Sequence, residues 1–181
     1  MGRAIGPATR HRVTAGTLRT AFLFLLCSIA SAARADAVPP LPADWIEVSA
    51  GGAFTVMAPR GTLFVRTPGV DSFTGVFNGP GFAVHVDHGA HADPLERDRR
   101  RTAFLSRDIV VDGRPAKLVT ARTSGAPRSY FLGLHVPHVR RSVSGAIKLT
   151  LTCDLEGPQD SAMVEAIYRS VRFKQGTAAR P

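Results

Sequence analysis

Residues 146–155 set the strongest constraint on the fold. Ile147, Leu149, Leu151, Cys153 and Leu155 alternate with Lys148, Thr150, Thr152 and Asp154. A strand sends successive side chains to opposite faces, so this run demands a sheet with one apolar and one polar face. An apolar sheet face needs a second layer. The residues that follow supply one. Pro158 is a natural first helical residue and Asp160 sits in the first turn, where the helix dipole favours an acid. Met163, Ile167 and Val171 then recur every four residues, with Val164 and Tyr168 beside them. That stripe is predicted to cover the apolar face.

Upstream, short extended runs alternate with turn signals. Strands are predicted over Trp45–Val48, Ala53–Ala58, Thr62–Thr67, Ser72–Phe77 and Phe82–Asp87. Asn78-Gly79-Pro80-Gly81 joins the last two as a hairpin. Asp93-Pro94-Leu95-Glu96 begins a helical segment of one or two turns through the charged run to Arg101. Phe104–Val111 and Pro115–Arg122 flank Asp112-Gly113, a tight-turn dipeptide, and Tyr130–Val136 follows. The fold class is therefore α+β: a meander of about seven to nine antiparallel strands under a C-terminal helix.

The first 35 residues read differently. Arg3, Arg10, Arg12 and Arg19 precede the apolar run Ala21–Ile29, and Ala33-Arg34-Ala35 is an A-x-A cleavage pattern. This is the form of a secretory signal peptide, cut before Asp36, on the general secretion route. Residues 36–41 are a proline-rich lead-in, 42–175 one globular domain and 176–181 a tail. The whole chain carries +9, which alone would suggest an acidic partner. Five of its 23 basic residues lie before Asp36 and all 14 acids lie after Ala35, so the mature 146 residues carry +4. Nucleic acid is therefore not the expected partner, and no membrane span remains after cleavage. An envelope protein or an anionic envelope component is.

Three stretches carry a resemblance. Leu41–Val48 followed by Phe54–Pro59 resembles the opening of PsbP-like domains, secreted or lumenal domains related to an extrinsic subunit of photosystem II. Ile109–Ala116 is similar to their central hairpin, and Ala166–Phe173 to their closing helix and edge strand. Val70–Gly75 onward to Gly89 is similar to uncharacterised secreted bacterial proteins. The resemblance implies an α-β-α sandwich around an antiparallel sheet, and an accessory or binding role rather than catalysis. It carries no catalytic residues across.

The residues themselves offer two constellations. His85, His88 and His91 with Asp87, and separately His135 and His138, are the residue types that hold zinc or copper. Residues three apart on a strand diverge, so His85 and His88 point to opposite faces. His85 and Asp87 share a polar face, and His135 is predicted on the polar face of another strand. If those strands adjoin, His85, Asp87 and His135 form a metal set. The ordinary alternative is solvated histidines near strand ends. The second constellation is basic: Arg99, Arg100 and Arg101 with Arg140 and Arg141, suited to a carboxylate or phosphate partner. Its alternative is a solvated loop.

Cys153 falls on the apolar face as a buried, free thiol. There is no G-x-S-x-G elbow, phosphate loop, C-x-x-C or H-E-x-x-H. Three readings follow, in order. The first is an exported, periplasmic or secreted, non-enzymatic accessory or binding domain. The second is a metal-binding module built on the histidines. The third is a small hydrolase whose triad is set by geometry rather than spacing.

Overall fold

A computed structural model describes residues 40–123, 128–143 and 145–174. The expected signal peptide, all but the last two residues of the lead-in, the Ser124–Pro127 loop and the tail lie outside them. The described residues form ten strands and one α-helix. In chain order these are β1 (Ile46–Ala50), β2 (Phe54–Ala58), β3 (Leu63–Thr67), β4 (Ser72–Gly79), β5 (Phe82–Gly89), β6 (Thr102–Val111), β7 (Arg114–Arg122), β8 (Tyr130–Ser142), β9 (Gly145–Leu155), α1 (Ser161–Arg169) and β10 (Arg172–Phe173). Among the described residues, no helix is long and apolar enough to cross a membrane.

All paired strands are antiparallel, and the α+β class stands. The sheet is not one meander. A small sheet runs β1-β2-β10, and a seven-stranded sheet runs β3-β4-β5-β9-β8-β7-β6. β3–β5 and β6–β9 are separate meanders, joined where β5 pairs β9. The chain must therefore travel from β5 to β6, at the far edge, across four strand spacings, roughly 19 Å. Alternating directions along the sheet make β5 and β6 parallel, and such a pair needs a crossover of about a dozen residues. Residues 90–101 are that crossover.

The inner face of the large sheet carries the core. Phe82, Val84 and Val86 of β5, Leu132, Leu134 and Val136 of β8, and Leu149, Leu151, Cys153 and Leu155 of β9 are all buried. Val164, Ile167 and Tyr168 of α1 and Phe54, Val56 and Ala58 of β2 close over them. The helix begins later than the sequence suggests, because Pro158–Asp160 is a 3-10 turn. It is pinned at its end: Ser170 Oγ accepts from the Met57 N–H at 2.8 Å. Tyr168 donates its buried hydroxyl to the Leu132 carbonyl at 3.1 Å. That bond satisfies a polar group that would otherwise be stranded in the core.

Two further departures have local causes. β8 was expected to stop before Pro137, yet it reaches Ser142. The register shifts between Val136 and Arg140, so the proline sits in a bulge, where a ladder N–H is not required. Asp112 and Gly113 have φ of 48° and 74°, the double left-handed turn that matches the twist of a two-residue hairpin.

Candidate functional site

The outer face of the large sheet was expected to be polar and solvated. It is partly covered. The crossover lies over it as a strap, with a 3-10 turn at Glu96–Arg100. Leu95 is the anchor, 3% exposed, in a small second core with Val119, Ala121 and Phe131. The seat exists because β8 has glycine there. A Cβ on Gly133 would lie 2.7 Å from Leu95 Cδ1. Asp93 Oδ1 accepts from the Leu95 N–H at 2.9 Å, which turns the chain into the seat.

Beneath the strap, Asp87, Thr150 and His135 lie in one row across β5, β9 and β8, and His85 and Thr152 in the next. Thr150 donates its hydroxyl to the Asp93 carbonyl at 2.7 Å. A hydroxyl has one proton, so the 2.9 Å contact to His135 Nδ1 requires the ring to donate. His135 therefore carries its proton on Nδ1. It is 5% exposed, against the prediction of a solvated residue, because the strap shields it. Burial first, and then the Lys148 and His138 charges, hold its pKa below the usual 6.5, while Asp93 opposes them.

Between strap and sheet is a cleft of about 320 Å³, lined by His85, Asp87, Thr150 and Thr152 on the sheet side and by Asp93, Asp98 and Arg101 on the strap side. Val86, Leu95, Phe131 and Asp154 complete it. Arg101 is held from four directions. Its Nε donates to Asp98 Oδ1 at 2.6 Å, and its Nη1 to Thr123 Oγ1 at 2.8 Å and Asp154 Oδ1 at 3.2 Å. The guanidinium lies 4.2 Å from the Phe131 ring centre. Asp87 is different. Its Oδ1 is buried and has no hydrogen-bond partner among the described residues.

The predicted metal set does not assemble. β9 separates β5 from β8, so His85 and His135 face different registers two strands apart. Among the described residues, no three His, Cys, Asp or Glu side chains are placed to hold a metal ion. His91 and His138 are exposed, and His88 is buried on the opposite, inner face. The two arginine runs are not one patch either. Arg101 lies beside Phe131, at the start of β8, whereas Arg140 and Arg141 lie nine or more residues further on, roughly 30 Å away. Arg99 and Arg100 are exposed on the strap, and Arg140 and Arg141 on the β8–β9 ladder.

Nucleophilic chemistry finds no support in the two groups best placed for it. Burial pushes the Cys153 thiol up to about 11, so it is a protonated core residue near neutral pH. In the His135–Thr150 pair the hydroxyl proton is committed to a carbonyl, not aimed at the imidazole as a nucleophile requires.

Asp93, Asp98, Asp154, Thr150 and Thr152 were not singled out as site residues. The threonines and Asp154 were legible as the polar face of β9, and the turn at Asp93–Glu96 as a helical start. That the turn lies on that face was not. Compared with known proteins, the chain matches no family model and no curated protein.

Proposed function

We propose that this chain is an exported, periplasmic accessory domain without catalytic activity, which binds a small ligand in the cleft beneath the strap. The observation that carries this reading is Asp87. A buried carboxylate oxygen without a donor is unfavourable, and such groups in a native fold call for a reason. The same residue lines a cleft at the small end of the range for ligand sites. Four aspartates face one arginine there, and that arginine is already engaged by Asp98 and Asp154. A ligand bringing N–H or O–H donors, preferably cationic, suits the cleft. An anion does not.

The PsbP-like resemblance supports the accessory role. The periplasmic assignment rests on the leader sequence. Intact-mass measurement of the exported protein is expected to give a chain beginning at Asp36. A chain retaining residues 1–35 would overturn processing at that site.

The ligand reading is tested by calorimetry with arginine, spermidine and glucose as probes. At least one is expected to bind, and Asp87→Asn is expected to weaken it tenfold or more, the order of a lost charge-assisted hydrogen bond. Binding should also raise the unfolding temperature, by mass action on the native state. No binding by any probe, or equal binding by Asp87→Asn, would overturn the reading.

A further inference from the structure

Resting on that reading, we propose that the strap is the gate of the cleft, latched by Arg101 and by Leu95 in its seat, with backbone strain stored at Leu95 and Ala103. Leu95 has φ of 63° and Ala103 of 49°. Neither is glycine, and an L-residue with a side chain is strained in this left-handed region. Such strain persists only where surrounding contacts over-determine it, and it gathers at sites that switch. Here the two strained residues bracket the segment that roofs the cleft. Ala103 also sits at the shifted register between Thr102 and Leu105, where the regular β6–β7 pairing is interrupted.

What opposes the strain is small and local. Leu95 fills the Gly133 seat, Thr150 holds the Asp93 carbonyl, and Arg101 ties the strap to Asp154 of β9 and to Thr123. The other strap arginines do not add to this. Among the described residues, Arg97 and Arg99 pair with Asp93 and Glu96 of the strap itself, at 3.8 and 3.7 Å. Detaching Arg101 and lifting Leu95 would relax both backbone angles and open the cleft without disturbing the inner core. That core lies on the other side of the sheet.

Amide hydrogen exchange on the full exported chain, without ligand, tests the gate. The reporters are the Asp98 N–H, bonded to the Leu95 carbonyl, and the Arg101 N–H, bonded to the Asp98 carbonyl. Arg101→Gln is expected to speed exchange across 93–103 on the order of tenfold, the effect of losing charge-assisted bonds. Exchange in β9 should be unchanged. Ala103→Gly is expected to do the reverse and slow exchange. Glycine relieves the left-handed strain of the closed state by more than it adds freedom to the open one. A uniform change over the whole domain in Arg101→Gln, or faster strap exchange in Ala103→Gly, overturns the gate. Either result leaves the Asp87 binding test intact. Conversely, a gate that behaves as described, with no probe bound, overturns the ligand reading alone.

Discussion

Replacing Phe54 with alanine is expected to destabilise the protein by about 3–5 kcal/mol, the range for removing a fully buried aromatic ring. Phe54 is wholly buried in β2. Its ring meets Phe77 of the large sheet edge-on at 6.1 Å, His88 at 6.1 Å and Phe173 of β10 at 6.2 Å. With Val56 and Ala58 it packs the small sheet onto the large one. A domain of this size is typically stable by only about 5–15 kcal/mol, so the loss would be a large share. Urea unfolding should show a lower midpoint with an unchanged slope. Leu63→Ala, at a residue 68% exposed, should change stability by less than about 0.5 kcal/mol. Equal effects of the two substitutions would contradict this account of the core.

Mild acid should destabilise the protein through two buried histidines. His88 is buried on the inner face, its ring edge-on to Phe54 and Phe73, and its Nε2 has no hydrogen-bond partner among the described residues. Burial, then the Arg140 charge, lower its pKa, with Asp87 opposing. His135 is lowered for the reasons given above. In both cases the unfolded chain binds a proton near pH 6.5 that the native state refuses. Stability is therefore full above that pH and falls as pH drops from 6.5 towards the lowered native values. Each refused proton contributes a slope of about 1.4 kcal/mol per pH unit. His88→Phe, which suits the neighbouring phenylalanines, should remove one proton from that slope. Urea midpoints measured between pH 7 and 5 test this. A flat profile in the wild type, or an unchanged slope in His88→Phe, would refute it.

The burial of these two histidines shows where sequence reading stops. Phe82, Val84 and Val86 announce an inner face, and His88 continues their alternation. The strand was expected to end at Asp87, which left His88 as a solvated histidine near a strand end; it runs on to Gly89 and carries His88 inward. His135 alternates outward, correctly. What buries it is a segment more than thirty residues away in the chain, whose path depends on strand order. The arginine run shows the same division. Arg97 to Arg101 reads as one basic stretch, yet only Arg101 meets Asp154, Thr123 and Phe131, because only it lies where the strap re-enters the sheet. Asp87 was singled out for a metal. It matters in the structure for a different reason, its unpartnered oxygen.

The sequence by itself determined where β1–β9 lie in outline, the Asn78–Gly81 and Asp112-Gly113 turns, the presence of a C-terminal helix and which face of β9 is apolar. These follow from local rules: side chains alternate with a period of two, helical stripes recur every three to four residues, and proline and glycine limit backbone angles. Only the tertiary structure decided that β5 pairs with β9, that β6 lies at the opposite edge, and that residues 90–101 must therefore cross the outer face. Strand order is a choice among pairings of similar local energy, settled by how all the apolar faces are buried together. That choice turned a polar sheet face into a roofed cleft, and it set Asp87, Thr150 and Arg101 around it.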